Sequence, residues 1–405
     1  MKKKILLITQ WFDPEPTFKG LLFAKELVLR GYDVEVLTGF PNYPGGKIYS
    51  GYKIKLIQKE YIDGVSISRL PLYPSHSNSK LGRAVNYLSF AFAVVFYGLF
   101  IAKKANVIYA YHPPLTTGIA AIIIKFFRKI PVVYDIQDLW PDTLHVTGMV
   151  DNTILLNFIS RICNLVYSAV DHIVVLSPGF KKNLINKKVP AEKISVIYNW
   201  ADEKVLRSKK GEVPQNIINN NCFNILFAGN IGRAQKLETV LEAAKILKNK
   251  NMNINFFLIG QGLMLNELKN KTIKMQLDNV LFIPEVPMSE VGAILTSADA
   301  LLIHLKEDPL FKITIPGKTQ AYMAVGKPII MGVQGNAEDI VNEAKCGKIV
   351  EPENANSLAE AAESLSIMSP EDLKSMGDNA RTYYDKNLSV KSGVDKFIKI
   401  FDELI

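Results

Sequence analysis

One stretch says most about the fold: Ile315-Pro-Gly-Lys-Thr-Gln-Ala-Tyr-Met-Ala-Val-Gly-Lys-Pro-Ile-Ile330. Its pattern predicts a loop, a helix that ends at a glycine, and a buried strand, in that order. Pro316 can begin the helix because its missing N–H would have no partner there. Gly317 allows backbone to approach a ligand closely. Lys318 lies in the first turn, where unpaired backbone N–H groups favour an anion, and Gly326 ends the helix. The stretch indicates an anion site, although an ordinary strand–loop–helix joint has the same pattern.

The same alternation of strand and helix extends along the rest of the chain. Short apolar, β-branched runs predict strands at Lys4–Thr9, Asp33–Thr38, Val65–Leu70, Asn106–Tyr111, Pro131–Ile136, His172–Leu176, Ile194–Tyr198, Asn224–Ala228, Ile254–Ile259, Asn279–Ile283, Asp299–Ile303, Pro328–Met331 and Lys348–Val350. Longer helical stretches separate these runs. The strands are apolar on both faces, which is typical of parallel sheets covered by helices.

A polar, aperiodic segment interrupts this alternation and indicates a domain boundary. We predict a first domain over residues 1–204, a linker over 205–222, a second domain over 223–386 and a last helix over 387–405 that returns to the first domain. The expected fold class is α/β, with two doubly wound, Rossmann-like domains facing a cleft. Ligands of such sheets bind at the carboxyl ends of the strands.

Composition excludes several other classes of protein. The chain has 405 residues, of which 48% are hydrophobic and 21% charged, as in globular proteins with large cores. Three widely spaced cysteines argue against a disulfide framework or a zinc site and favour a reducing compartment. The loop after the first strand lacks a GxGxxG motif, which argues against a nicotinamide dehydrogenase.

Positive charge is concentrated near the N-terminus. Residues 1–110 hold 15 Lys and Arg against 7 Asp and Glu, a difference of +8 within a total net charge of +9. This favours an anionic partner: a membrane surface, nucleic acid or a phosphorylated acceptor. Residues 84–102 carry no charge and are rich in Phe and Tyr. They predict an interfacial membrane helix, with a buried helix or a true span as alternatives, and nucleic acid is not expected as a partner.

Two strand ends of the first domain carry candidate site residues. Asp138 and Trp140 follow a buried strand, and we predict that Asp138 either holds sugar hydroxyls or acts as a base. Helix capping is the alternative role for its carboxylate. The long loop after the first strand ends at Lys19 and Gly20, which we predict on the acceptor side.

Three strand-end loops of the second domain carry glycines, and two of them also carry cations. Gly229, Asn230 and Gly232 follow a strand and precede Arg233 and Lys236 at a helix start. Close backbone approach is also expected at Gly260. Backbone groups at Val286 could contact a nucleobase. With Pro316, Gly317 and Lys318, these loops predict a site for a diphosphate-bearing donor.

Three motifs stand out together: Asp138-Leu-Trp-Pro-Asp142, Ala228-Gly-Asn-Ile-Gly-Arg-Ala-Gln-Lys236 and Pro316-Gly-Lys-Thr-Gln-Ala-Tyr-Met-Ala-Val-Gly-Lys-Pro328. In these motifs the chain resembles the GT-B glycosyltransferases of family 4. The resemblance covers nearly the whole chain. Within the family it is nearest to the bacterial O-antigen and capsule branch that includes N-acetyl-L-fucosamine transferases.

This resemblance implies a hexosyltransferase that uses a UDP-sugar. Arg233, Lys236 and Lys318 would contact the diphosphate, and Asp138, Arg233 and Lys318 would be the catalytic residues. The acceptor would be a polyprenyl-diphosphate-linked saccharide at the inner face of the bacterial plasma membrane. Transfer would retain anomeric configuration, and neither a cofactor nor a metal is expected.

The chain departs from the family pattern at one point. Two glutamates, eight positions apart, are usual around the last motif, and here those positions are Ile313 and Ala321. Gln320 and Glu338 are our candidates for the lost ribose contact. Two alternatives follow: a non-catalytic, degenerate transferase that acts as a membrane-bound partner, and a GT-B sugar-nucleotide 2-epimerase.

Overall fold

The predicted alternation of strands and helices produces two separate β-sheets. A computed structural model describes residues 2–75, 80–146, 149–208 and 221–405. It divides into two compact units, the first comprising Met1–Tyr198 with Gly393–Ile405 and the second comprising Asn199–Ser392. The linker predicted at 205–222 falls largely outside the described residues.

The sheet of the first unit has eight strands in the order β3-β4-β2-β1-β5-β6-β7-β8. The strands are β1 Lys4–Ile8, β2 Asp33–Gly39, β3 Gln58–Ile62, β4 Val65–Leu70, β5 Val107–His112, β6 Val132–Ile136, β7 His172–Val175 and β8 Ile194–Val196. Its helices are α1 Leu21–Leu29, α2 Lys80–Phe100, α3 Leu115–Arg128, α4 Asp142–Val146, α5 Thr153–Ala169 and α6 Pro178–Asn186. Strand β1 lies between β2 and β5, so the order of strands reverses there.

Strand β3 was missing from our predicted strands. It pairs antiparallel with β4 at the edge of an otherwise parallel sheet. Its sequence, Gln-Lys-Glu-Tyr-Ile, is mostly polar and its side chains are largely exposed. An edge strand of this kind lacks the continuous apolar run that marks a buried parallel strand.

The sheet of the second unit has six parallel strands in the order β11-β10-β9-β12-β13-β14. They are β9 Phe223–Ala228, β10 Ile254–Ile259, β11 Val280–Ile283, β12 Ala300–His304, β13 Ile329–Gly332 and β14 Gly347–Ile349, as predicted to within a few residues. The helices are α7 Glu203–Leu206, α8 Glu238–Asn249, α9 Leu265–Lys274, α10 Met288–Ser297, α11 Pro309–Lys312, α12 Gly317–Val325, α13 Asn336–Ala344, α14 Ala355–Ser366 and α15 Pro370–Asn387.

The ends of the predicted domains differ from the observed division. Residues 199–204, which we placed in the first domain, belong to the second unit. Helix α7 packs there, since Leu206 meets Gly292 of α10 and Arg207 donates to the carbonyl oxygen of Ala324 in α12. The last helix, α16 Val390–Leu404, belongs to the first unit from Gly393 onward. Within that unit Phe397 lies 5.0 Å from Phe23 between ring centroids.

Candidate active site

Strands β9 and β12 flank the point at which the strand order of the second sheet reverses. The chain runs outward to β10 and β11 on one side and to β13 and β14 on the other. A crevice forms at the carboxyl ends of the strands at such a point, and ligands of open α/β sheets bind there. We therefore expect the loops after β9 and β12 to contribute to a ligand site.

Two glycine loops pack backbone against backbone at this edge. Gly229 and Gly260 both have positive φ, and a β-carbon on Gly260 would lie 2.1 Å from the carbonyl oxygen of Gly229. A β-carbon on Gly262 would likewise lie 2.2 Å from the carbonyl oxygen of Ile231. The close approach that we predicted for Gly260 is thus made to the neighbouring loop of the protein. Glycine is required here because any side chain would separate the two loops.

Lys318 reaches this pair of loops from the start of helix α12. A β-carbon built on Gly229 would lie 2.9 Å from Lys318 Nζ, and Nζ lies 4.3 Å from the ring centroid of Phe227. Burial lowers the pKa of Lys318 to about 8. Pro316 is the N-cap of α12 and Gly317 its first residue, without a side-chain cap. Free N–H groups and a cation therefore occur together beside the loop after β9, which suits a bound anion.

Tyr322 fixes helix α12 against the end of β9. Its buried hydroxyl accepts a hydrogen bond from the Ala228 N–H at 2.9 Å. Tyr322 follows Lys318 by four residues, which places both side chains on one face of the helix. No separate pattern predicts this contact, because a tyrosine in an apolar helix is equally typical of a core.

Arg233 begins a 3₁₀ turn that follows Gly232, and Lys236 is the C-cap of that turn. Arg233 is exposed and pairs with no carboxylate in the described part of the chain. Lys236 Nζ lies 3.7 Å from Glu353 Oε2. The three predicted cations thus have different surroundings: Lys318 is half-buried, Arg233 is exposed and Lys236 lies near a carboxylate.

His304, at the end of β12, joins this turn to the loop after β14. Its Nδ1 lies 2.8 Å from the Gln235 carbonyl oxygen, and its Nε2 accepts from the Glu353 N–H at 3.2 Å. The second bond needs a lone pair on Nε2, so the ring is neutral with its proton on Nδ1. Burial lowers the pKa of His304 and favours the same state. We did not single out this histidine from the sequence, because a lone histidine carries no pattern.

A cavity of about 650 Å³ opens between the glycine loops and helix α10. Of the predicted donor residues, Gly229, Asn230, Gly260 and Val286 line it. Glu285 and the apolar side chains of Met288, Val291, Ile294 and Leu295 form the rest of its wall, together with Ala228, Ile259, Gln261 and Gly262. The cavity is mostly apolar with a few polar groups, which is typical of small-molecule sites.

Gln320 and Glu338, which we proposed as replacements for the missing glutamates, both hydrogen-bond to nearby backbone groups. Gln320 is 2% exposed, and its amide nitrogen, in the orientation that satisfies it, donates to the carbonyl oxygens of Pro316 and Gly317. Glu338 accepts the Gly335 N–H at the start of α13. Gln320 therefore stabilises the loop before α12, and Glu338 caps its own helix.

In the first unit, Asp138 lies at the end of β6 with its carboxyl largely buried. Burial raises the pKa of this carboxyl, which makes no hydrogen bond or ion pair with the described residues. Helix capping, the alternative that we considered for Asp138, is not observed among those residues. Trp140, two residues on, lies 6.4 Å from Tyr87 and 5.3 Å from His112 between ring centroids.

Lys19 and Gly20, which we predicted on the acceptor side, are both buried in the first unit. Lys19 is 1% exposed, with Nζ 3.9 Å from Asp135 Oδ2, and burial lowers its pKa to about 8. Its ammonium is therefore part of the core. At Gly20, a β-carbon would lie 2.2 Å from Oδ2 of Asp13, the carboxylate that accepts the Leu21 N–H. Gly20 is thus required by the start of α1.

His112, at the end of β5, is a further candidate that our reading of the sequence missed. The ring is buried, and neither nitrogen has a hydrogen-bond partner in the structure. Burial lowers its pKa to about 3, so the ring is neutral. Buried polar atoms are normally paired, so the lack of a partner for these two nitrogens among the described residues is unusual. Its position directly after an apolar strand was the one available signal.

Comparison with known families agrees with this division of the chain. The family described as "Glycosyl transferase 4-like domain" matches residues 21–200, and "Glycosyl transferases group 1" matches residues 208–383. WbjE of Pseudomonas aeruginosa, named as a glycosyltransferase, is 25% identical over 73% of this chain and 74% of its own length. WcaI of Escherichia coli (strain K12), named for colanic acid biosynthesis, is 25% identical over 98% of both chains.

Solved structures share the fold over the whole chain. HepE of Anabaena, in complex with UDP and glucose, has a TM-score of 0.69 at 15% identity and covers 99% of this chain and 100% of its own. WaaG, a glycosyltransferase involved in lipopolysaccharide biosynthesis, has a TM-score of 0.64 at 16% identity, covering 98% and 99%. The fold is therefore GT-B, as the sequence predicted. The chain belongs to the GT-B glycosyltransferases that combine a 4-like domain with a group 1 domain, and it is an enzyme that transfers sugars.

Proposed function

We propose that the second unit binds a UDP-sugar at the glycine loops, with its diphosphate at Lys318. The observation that carries this proposal is the packing of the Lys318 ammonium against Gly229, beside the uncapped start of α12. A half-buried amine that pairs with no carboxylate among the described residues is poorly solvated, so a diphosphate would restore the interactions that it lost. The complex of HepE with UDP supports uridine as the nucleoside.

The uridine would occupy the cavity beside Val286, whose apolar wall suits the face of a nucleobase. Arg233 and Lys236 lie one turn after Gly232 and would add positive charge to the phosphates. As the sugar C1–O bond to the diphosphate breaks, negative charge develops on the leaving oxygen. Preorganised cations that meet this charge lower the barrier, and loss of one typically costs on the order of 100-fold in rate.

The new bond joins C1 to an acceptor oxygen on the same face, with retention of configuration. The proton of the acceptor hydroxyl passes to an oxygen of the leaving phosphate. We propose this route without a metal, and for a deoxyhexosamine such as N-acetyl-L-fucosamine as the donor sugar. The support for these finer points is the sequence resemblance. WcaI, named for colanic acid biosynthesis, supports a role in polysaccharide assembly.

We also propose that the acceptor is a lipid-linked saccharide and that the first unit lies on an anionic membrane surface at the cytoplasmic face. Helix α2 exposes a stripe of apolar side chains spaced three or four residues apart: Leu81, Val85, Leu88, Phe92, Phe96 and Phe100. This spacing places them on one helix face. The segment Leu81–Phe100 is also long and apolar enough to cross a membrane, which by itself is weak support for a span.

Helix α3 extends this apolar stripe, which favours an interface over a span. Phe126 and Phe127 are 77% and 66% exposed. The next residue, Arg128, donates to the carbonyl oxygens of Gly98 and Ala102, which holds the ends of α3 and α2 together. The exposed Lys103, Lys104 and Lys129 border the same region. Aromatic side chains beside lysines are typical of surfaces that bind anionic bilayers.

Transfer can be tested with the purified full chain and a lipid extract from cells that lack the gene. UDP-linked sugars are supplied one at a time, and radiolabel is followed into the lipid fraction, with and without EDTA. We expect label to be incorporated from a UDP-linked N-acetyldeoxyhexosamine. EDTA should leave this incorporation unchanged, and Lys318→Met should reduce it on the order of 100-fold. Incorporation only from a donor that is not linked to UDP would overturn the nucleotide assignment. Epimerised donor formed without any lipid would favour the 2-epimerase.

A further inference from the structure

Four aromatic side chains of the first unit form a connected group, and Asp138 interacts electrostatically with two of them, Tyr43 and Tyr87. The four are Trp11 after β1, Tyr43 after β2, Tyr87 on α2 and Trp140 after β6. The ring centroids of Trp11 and Tyr43 lie 4.7 Å apart, those of Trp11 and Tyr87 6.5 Å, and those of Tyr87 and Trp140 6.4 Å. We call these four rings with Asp138 the aromatic site.

The aromatic site is half-buried and is not a closed core. All four rings and Asp138 retain partial exposure, in contrast to the fully buried residues of the sheet beneath them. Burial raises the pKa of Tyr43, and the negative charge of Asp138 adds to that rise, so the hydroxyl and the carboxyl lie close enough to interact. Burial also raises the pKa of Tyr87, with a smaller contribution from Asp138.

The Asp138 carboxyl has no hydrogen bond or ion pair within the described residues. A carboxylate offers about four lone-pair positions to donors, and leaving them unused in a largely buried place is costly. A ligand that brings hydroxyl or amide donors to an apolar, ring-lined wall would use both features. A pyranose ring is such a ligand, because its C–H faces are apolar and its edges carry hydroxyls.

We infer that the aromatic site holds the terminal sugar of the acceptor, with the pyranose against the rings and its hydroxyls donating to Asp138. This inference rests on the proposed transferase function and names the residues that would recognise its acceptor. In this role Asp138 is an acceptor-binding residue, and the leaving phosphate still takes the proton in the transfer step.

The position of Tyr87 favours a sugar that is attached to a lipid. Tyr87 belongs to the aromatic site, whereas the adjacent Leu88 lies in the exposed apolar stripe of α2. Asn86, beside both, accepts a hydrogen bond from Gln10 and donates to the Tyr73 carbonyl oxygen, which fixes α2 on the loop after β1. One helix therefore presents a ring towards the sugar site and an apolar stripe for the lipid.

Tryptophan fluorescence tests this inference without donor or catalysis. Two of the three tryptophans, Trp11 and Trp140, belong to the aromatic site, and Trp200 is buried in the second unit. The full chain is titrated with the methyl glycosides of N-acetyl-D-glucosamine, N-acetyl-D-galactosamine and L-fucose at millimolar concentrations. We expect a saturable change in emission with at least one of them.

Three variants locate the binding. Asp138→Asn keeps the shape and removes the charge, and Tyr87→Ala removes one ring; each should weaken the binding at least about tenfold. Tyr61→Ala, on the exposed edge strand β3, is the matched control and should leave it unchanged. If Tyr87→Ala does not fold, Asp138→Asn alone decides. UDP binding, measured by thermal shift, should be unaffected by Asp138→Asn.

Failure of this inference can be distinguished from failure of the proposed function. If UDP stabilises the protein but no glycoside changes the emission, the aromatic site is not a sugar site. The same follows if a glycoside binds equally well to the wild type and to Asp138→Asn. If UDP does not bind, the proposed donor is wrong, and the fluorescence result still stands on its own.

Discussion

The ammonium of Lys318 packs against Gly229 and over the ring of Phe227, where burial lowers its pKa to about 8. A diphosphate binds the protonated amine and would raise this pKa again, so binding takes up a proton when the free amine is neutral. UDP affinity should therefore be high at about pH 7 and fall as the pH rises above about 8, by up to tenfold per pH unit.

This pH dependence can be measured by isothermal titration calorimetry with UDP. The phosphates of UDP are already ionised above about pH 7, so they do not contribute to the change. Lys318→Arg should remove the fall in affinity, because a guanidinium stays charged throughout. An unchanged pH profile in Lys318→Arg would mean that another group titrates.

The position of Lys318 in the first turn of its helix was predictable from local residue patterns, whereas the burial of other side chains was not. The order Pro, Gly, Lys before an apolar helix fixes the positions of N-cap and first turn, and these are properties of neighbouring residues. The burial of Lys19 beside Asp135, and of Gln320 over its own loop, depends on residues distant in sequence or on the surrounding core. A cation or an amide after a strand looks the same in the sequence whether it faces solvent or the core.

At the scale of elements, the site depends on the contact between the loops after β9 and β10. Gly260→Ala would place a β-carbon 2.1 Å from the Gly229 carbonyl oxygen, at a φ of 136° that alanine rarely adopts. We expect a loss of more than about 3 kcal/mol in the free energy of unfolding and weaker UDP binding. Chemical denaturation measures the first quantity. Gly45→Ala is the control, since nothing lies within 4 Å of a β-carbon there; equal stabilities of the two variants would contradict the proposed packing.

Helix α2 allows a second prediction at this scale. Phe92→Ser with Phe96→Ser removes two large exposed rings from the apolar stripe, and each ring contributes on the order of 2 kcal/mol when it enters an apolar phase. Sedimentation with vesicles of phosphatidylethanolamine and phosphatidylglycerol should show at least tenfold weaker binding for the double variant. Leu263→Ser changes an even more exposed apolar residue in the second unit and should bind as the wild type. Equal binding of all three proteins would exclude α2 as the contact.

At the scale of the molecule, the two units share one architecture but carry different side chains at the ends of their strands. Both sheets reverse their strand order, at β1 and β5 in the first and at β9 and β12 in the second. The carboxyl-end loops of the second carry glycines and cations, and those of the first carry aromatic rings and Asp138. The fold class was predictable because buried parallel strands leave long apolar runs. Strand β3 and the division between residues 198 and 199 were not predictable, because neither edge pairing nor the packing of α7 leaves an apolar run in the sequence.

Hydrogen–deuterium exchange of the full chain, with and without UDP, tests the central claim most directly. We predict that UDP slows exchange in peptides that cover residues 229–233 and 317–320, because their backbone N–H groups would face the phosphates. The same peptides in Lys318→Met should show much weaker protection at equal UDP concentration. Protection by UDP confined to other segments, with these two unchanged, would contradict the assignment of the donor site.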